Sequence, residues 1–353
     1  MMRYTIRYVS LLAGMLTAFS SCEHKDLCFD HEAHAPKSDV HVKAVYEKEW
    51  EHTCEGGPDW EQYPAWESKF GMEYHDLCPD APDGLRVQVY NEDGTNNILN
   101  VAPEGDIVRM RTGEHSLLLY NNDTEYIVFD DMNSFASAKA TTRTRTRASY
   151  AGNPYMENTV ENTVNAPDML YGNYIENYTA ERKIEADELP VTMHPLVFTY
   201  LVRYEFSHGL EYVALARGAL AGMAGAVWLN NGRTSEEAAT ILYDCTVEDF
   251  GAQACVHSFG IPDYPNEHYT ARASERKYAL QLEVRLKNGK YLPPFNFDVT
   301  DQVAAQPQGG VIVVSGIEIS DEDGTEGGSG FDVSVGDWGE YEDVEPVSYT
   351  HLT

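Results

Sequence analysis

Seven potential metal ligands, His24, Cys28, His31, His34, His41, His52 and Cys54, follow one another near the start of the chain. Imidazole and thiolate are the preferred ligands of zinc and related ions. His31-Glu32-Ala33-His34 nevertheless spaces its histidines one residue too closely for a zinc-protease helix, where both must share a face. Asp321-Glu322-Asp323-Gly324-Thr325-Glu326 opens like a calcium loop, but Glu326 stands where the loop needs glycine and Asp332 where it needs glutamate, so it reads as an acidic solvated hairpin. Gly218 to Gly225 lacks both the GxGxxG order and a following Lys-Ser/Thr, which points to close packing rather than a phosphate cradle. No Ser/His/Asp set stands out. The reading is therefore non-enzymatic, with no catalytic residue, no metal site and no cofactor assigned.

Three other groups carry chemistry of a different kind. Trp50, Trp60, Tyr63, Trp66 and Tyr74 cluster in sequence; buried, they supply core area, and exposed, they would stack on sugars. Cys245 and Cys255 could close a short loop by a disulfide or remain buried thiols. Arg143, Arg145 and Arg147 alternate with threonines in the one basic cluster of an acidic chain, and mark either a protease-sensitive linker or the polar face of a strand.

Arg3 and Arg7 precede an apolar stretch that ends at Ser20-Ser21-Cys22, the order of a secretory signal too short to span a bilayer. A cysteine at the cleavage point is the lipidation site of a bacterial lipoprotein, so Cys22 is expected to carry lipid and the mature chain to leave the cytoplasm. The 353 residues hold 25 Lys plus Arg against 57 Asp plus Glu, for a formal charge of −32. A nucleic-acid partner is disfavoured, because phosphate binding rests on a basic surface.

The elements that must position these residues are strands. Val40, Val42 and Ala44 alternate with polar residues, as do Leu85, Val87 and Val89 before the turn Asn91-Glu92-Asp93-Gly94. Leu117 and Leu119 lead through Asn121-Asn122-Asp123 to Tyr126 and Val128, and Tyr278 to Leu286 alternates up to Asn288-Gly289. Val311-Ile312-Val313-Val314 is continuous, as in a strand covered on both faces. The best helical signal is Thr234-Ser235-Glu236-Glu237-Ala238-Ala239. The class is mainly β, most simply sandwiches, with a pattern break at residues 136–165 that divides the chain in two.

Five stretches carry a family resemblance. They are Cys22 to His31, Gly113-Glu114-His115 through Leu118-Leu119-Tyr120-Asn121-Asn122-Asp123, Ala166-Pro167-Asp168-Met169-Leu170-Tyr171, Phe297-Asp298-Val299-Thr300, and Gly330-Phe331-Asp332 through Trp338. Together they resemble a Bacteroidetes lipoprotein family that groups with fimbrillins and fimbrial anchor proteins, much of it known only as a domain of unknown function. The resemblance implies two transthyretin-like β-sandwich domains in tandem after a lipoprotein signal peptide. The expected division is a signal at 1–21, a lipidated tether at 22–37, a first sandwich at 38–135, a linker at 136–165 and a second sandwich at 166–345. Residues 346–353 resemble the in-frame translation of a sequencing-library adapter and are set aside. The implied role is a surface-exposed, lipid-anchored outer-membrane component of pili or adhesion, with other fimbrillin-like subunits or surface proteins as partners. A glycan-binding surface lipoprotein using the tryptophan cluster is the alternative.

Overall fold

The computed structural model describes residues 36–156, 161–266, 276–325 and 342–344. In β1 (Lys37–Tyr46), β2 (Leu85–Asn91), β3 (Asn96–Val101), β4 (Ile107–Arg111) and β5 (Gly113–Asn121), alternate side chains turn to one face. Val40 and Val42 thereby meet Leu85, Val87, Leu117 and Leu119 in a single core. The turn after β2 closes as its sequence demands. Asn91 N–H donates to Thr95 O at 2.8 Å, and Gly94 takes a φ of 79° that glycine adopts without strain.

β5 is apolar on both faces, and both are used. Leu118 and Tyr120 point away from the first core and pack with Ala138, Ala140, Val227 and Phe259. Here lie β6 (Ile127–Asp130) and β7 (Lys139–Thr142), the latter followed by β8 (Thr144–Thr146) and β9 (Asn162–Asn165). β10 (Tyr171–Ala180) and β11 (Asp187–Pro195) then return to the first sheet, whose order is β3-β2-β5-β10-β11-β1-β4.

The chain continues with β12 (Phe198–His208), β13 (Val213–Ala224), β14 (Ala226–Trp228), β15 (Ala238–Glu248) and β16 (Gly251–Ser258), all but β14 in the second sheet. The second sheet is completed by β17 (Ala279–Leu286), β18 (Phe295–Asp298), β19 (Gly310–Glu318) and β20 (Glu342–Val344), with β8 and β9. The main path runs β18-β17-β13-β15-β16-β12-β19, and β14-β7-β6 form a three-stranded sheet of their own. β15 pairs with β13 and, in parallel, with β9 along its first part, then with β16 at its end. The second sheet folds over a core that includes Tyr200, Val202, Leu280, Leu282 and Ile312. The molecule is thus mainly β and built of two sandwich-like units.

Several expectations need correction. β10 and β11 hydrogen-bond into the first sheet, so the strand exchange does not respect a boundary at 165/166. The reason is non-local: β11 lies parallel to β1, pairing Val42 with Leu189, and no local pattern announces such a partner. Nor is 136–165 a plain linker, because β7 is the centre of the three-stranded sheet and β9 extends β15. The helix expected at 234–239 is a turn leading into β15. Thr234 Oγ1 donates to Ile261 O at 2.6 Å and accepts from Tyr264 N at 2.9 Å, so its hydroxyl ties down a loop and caps nothing. Helices occur instead at Trp66–Phe70 and Thr300–Ala304. Asp321–Thr325 is also a helical turn, not a hairpin arm, with Asp321 on His208 at 2.9 Å and Asp323 on Lys290 at 2.7 Å. The glycines of β13 are explained by packing: a Cβ on Gly218 would lie 2.3 Å from the Tyr243 ring.

Candidate functional site

Two of the resemblance motifs interlock. Asn121, at the end of β5, accepts the Tyr171 N–H through Oδ1 at 2.7 Å and donates through Nδ2 to Met169 O at 3.1 Å. Asp168 Oδ2 accepts from the N–H groups of Glu125, Tyr126 and Ile127 at 2.8, 2.5 and 3.2 Å, which fixes the entrance to β6. These polar side chains satisfy backbone groups between strands and build the fold. Chemistry with a partner must be sought at the surface.

Unpaired backbone at a sheet edge is the surface feature most apt to bind another chain. The two main sheet paths end in β3, β4, β18 and β19. On β19 the outward peptide groups are already taken by two glutamine amides. Gln302 accepts the Val313 N–H at 2.9 Å and donates to Val313 O at 3.0 Å; Gln306 accepts the Val311 N–H at 3.0 Å and donates to Val311 O at 2.5 Å. Each amide has the donor and acceptor of a peptide bond, so the pair occupies the place of a neighbouring strand. β4 carries Arg109 and Arg111, paired with Asp39 and Asp93. β18 is only four residues long and follows Pro293-Pro294. Charge, shortness and proline all blunt an edge.

β3 has none of these guards. Asn96-Asn97-Ile98-Leu99-Asn100-Val101 holds neither charge nor proline and pairs with β2 at every position. Leu99 and Val101 pack inward while Ile98 is 52% exposed. Where β10 and β11 diverge, side chains bridge the gap, with Asn173 Nδ2 donating to Thr192 O at 2.6 Å.

The tryptophan cluster is a collar on the outer face of the second sheet. The segment between β1 and β2 folds back so that Trp50, Trp66 and Phe70 cover Leu201 of β12 and Val311 of β19. Trp50 and Trp66 are buried, their rings 6.0 Å apart, and Trp60 Nε1 donates to Gln306 Oε1 at 2.8 Å. Tyr74 OH donates to Glu51 Oε1 at 2.8 Å, and burial pushes the Glu51 carboxyl above its usual range although this bond opposes it. Lys69 reaches Glu205 at 2.5 Å, and Arg203 lies over the Phe250 ring at 3.3 Å. Rings packed in this way bury area. Trp50 and Trp66 present no free face for a sugar.

The arginine run is held in place. Arg143 N–H donates to Tyr126 O at 2.9 Å, and Arg145 Nη1 reaches Leu242 O at 3.3 Å. The Arg147 side chain is 2% exposed; it donates to Gly218 O at 3.0 Å and Gln281 Oε1 at 3.1 Å and lies 3.4 Å from Glu283. A protease-sensitive linker is therefore the wrong description of this stretch. Threonine and arginine alternate here because the segment crosses the polar outer face of β13 and β17.

Cys245 and Cys255 are free thiols. Thr246 pairs with Gln253 and Val247 with Ala252, a register that sends Cys245 to the core face and Cys255 to the opposite face of the hairpin. They cannot bridge, and burial pushes both thiols upward. Cys22, Cys28, His24, His31 and His34 lie outside the described residues. His41 meets Glu188 and His52 meets Glu49, while Cys54 Sγ donates to Ala305 O at 3.1 Å. Among the described residues no group of three or more His, Cys, Asp and Glu is placed to hold a metal ion, and no helix is long and apolar enough to cross a membrane.

Comparison with known proteins gives this architecture its relatives. A family model described as a domain of unknown function, DUF5119, matches residues 69–244, a span from the collar helix to β15 that includes both interlocked motifs. This part of the chain is similar to that family. The chain as a whole is 24% identical over 317 residues, 82% of its length and 92% of the relative's, to the Bacteroides ovatus protein named "Putative fimbrium anchoring subunit Fim4B". A crystal structure described as a "putative adhesin" from Bacteroides ovatus superposes with a TM-score of 0.57 at 22% identity, covering 82% of this chain and 95% of that one. The fimbrial anchor protein Mfa2 from Porphyromonas gingivalis gives a TM-score of 0.40 at 10% identity, covering 79% and 90%.

Proposed function

We propose that this chain is a cell-surface fimbrium anchor or adhesin component that acts by protein–protein assembly. The observation that carries the reading is its alignment with the fimbrium anchoring subunit along 82% of this chain and 92% of that one. Cys22 carries the lipid that holds it in the outer membrane, and the partners are other fimbrillin-like subunits. β3 is the docking edge. An extended segment laid against it gains main-chain hydrogen bonds, and its alternate side chains meet Ile98 on the outer face. No step of this requires a catalytic group or cofactor.

The test combines anchoring and assembly. A fatty-acid probe labels the wild type and spares Cys22→Ser, and affinity capture from cells, with a natural C-terminal segment in place of residues 346–353, recovers fimbrillin-like subunits. Deleting the gene changes surface filaments or adherence. Equal labelling of both proteins would remove the lipid anchor, and capture that recovers no such subunit would remove the fimbrial role.

A further inference from the structure

A cleft of about 460 Å³ opens beside β14, along the turn that leads from it towards β15. Trp228, the last residue of β14, lines it and is half-buried, unlike the enclosed Trp50 and Trp66. Val227 packs into the core with Ala140 and Phe259, so strand alternation turns Trp228 to the opposite, outer face. Its ladder partner there is Lys139 of β7, whose Nζ lies 5.7 Å from the indole centroid. On the other side the chain doubles back. Trp228 N–H donates to Arg233 O and Gly232 N–H to Trp228 O, both at 2.8 Å, and Val227 bridges Thr234. That register sets Arg233 across from Trp228 on the same face.

The cations flanking the indole are matched by carboxylates. Lys139 meets Asp130 and Asp131, each at 3.5 Å, and Arg233 donates from Nε at 3.1 Å and from Nη2 to the same Asp263 oxygen. The guanidinium holds the Asp263 carboxyl below its usual range, and the Asp263 N–H is fixed on Ser235 O at 3.0 Å. Arg233 is thus held beside Trp228 with Nη1 not spent on Asp263. Asn231 Oδ1 accepts the Arg233 N–H at 2.8 Å, which leaves its exposed Nδ2 as a donor, and the exposed Glu236 and Glu237 add acceptors. An anion would meet the two glutamates and a cation would meet Lys139 and Arg233, so neither sign is favoured. A hydroxyl donates and accepts at once. A pyranose carries hydroxyls along its edge, which planar amide, guanidinium and carboxylate groups can bond in pairs, and C–H groups on its face, which an indole can cover. We propose that this cleft binds a neutral oligosaccharide, one pyranose ring stacking on Trp228 and its hydroxyls bonding to Asn231, Arg233 and the glutamates. This function is additional to fimbrial assembly and uses a different surface from β3.

The experiment incorporates fluorotryptophan into the mature chain and assigns the Trp228 fluorine resonance with Trp228→Phe. The chain is then titrated with maltohexaose, mannohexaose, xylohexaose and the anionic hexagalacturonate, with binding followed by that resonance and by calorimetry. At least one neutral hexasaccharide binds and moves the Trp228 resonance while those of the buried Trp50 and Trp66 stay in place. Hexagalacturonate binds several-fold more weakly. Trp228→Ala abolishes binding, and Asn231→Ala with Glu236→Ala, both at exposed positions outside the core, weakens it several-fold, which keeps the test valid if the tryptophan variant loses stability. A Trp228 resonance that no neutral sugar moves, hexagalacturonate binding as tightly as the neutral sugars, or unchanged affinity in the Asn231/Glu236 variant overturns the proposal. All of these readouts use the isolated chain, so they stand apart from the outcome for fimbrial partners.

Discussion

Arg147 shows how a single side chain decides the reading of its segment. Its guanidinium is enclosed against Glu283, Gln281 and the Gly218 carbonyl, and Arg217 Nε donates to the other Glu283 oxygen at 2.8 Å. Removing Arg147 leaves Glu283 paired with Arg217 but takes a buried donor from the Gly218 carbonyl and Gln281 Oε1, at a cost of about 1–3 kcal/mol for each group left unsatisfied. Arg147→Ala is expected to lose stability of that order in urea unfolding, and the native protein to resist tryptic cleavage at Arg147 until it unfolds. Gln306 is a quieter case. It is 4% exposed and serves Val311 and Trp60 together, so Gln306→Ala strands buried donors and acceptors and is expected to cost about 1–3 kcal/mol per unsatisfied group, read as a lower unfolding midpoint. Glu205 carries a pH signature. Burial draws its carboxyl upward, but Lys69 and Arg203 overcome this and hold it below the usual range. Its contribution is therefore full above the unfolded value of about 4.3 and is lost as pH falls through the lower folded value. Glu205→Gln is expected to reduce stability at neutral pH and flatten its acid-side decline, measured by unfolding across a pH series.

At the scale of elements, the strands were the most legible part of the chain. Alternation at 40–44, 85–89, 117–119 and 278–286 marks strands whose inner residues are buried. The short helices were not legible. Trp66–Phe70 has only five residues and is held by its rings on Leu201 and Val311, so tertiary contact creates it where propensity gives little signal. Thr234 looked like a helix cap because a capping hydroxyl and a loop-locking hydroxyl are the same residue type. The edges were legible only after pairing was known: Gln302 and Gln306 stand close to β19 in sequence, yet their strand-like role depends on the helix between β18 and β19 turning both amides onto one edge.

At the scale of the molecule, class and kinship were open to reading while connectivity was not. The motifs at 113–125 and 166–171 carried the resemblance because their polar residues clasp each other across the fold, as Asn121 and Asp168 show. The parallel pairing of β1 with β11 joins distant parts of the chain and moves the division of the sheets from 165/166 to the approach of β12. The tryptophans suggest a sugar surface from composition alone, and Trp50 and Trp66 are instead buried on the second sheet, with Trp60 half-buried beside them. Among the described end strands of the two main sheet paths, β3 is the unguarded one. The most direct measurement places a photocrosslinking residue at Ile98 of β3 and, separately, at Ile107 of the charged edge β4, both exposed positions, in cells that assemble fimbriae. The account predicts that position 98 captures a fimbrillin-like subunit and position 107 does not; capture at neither position, or equally at both, would contradict it.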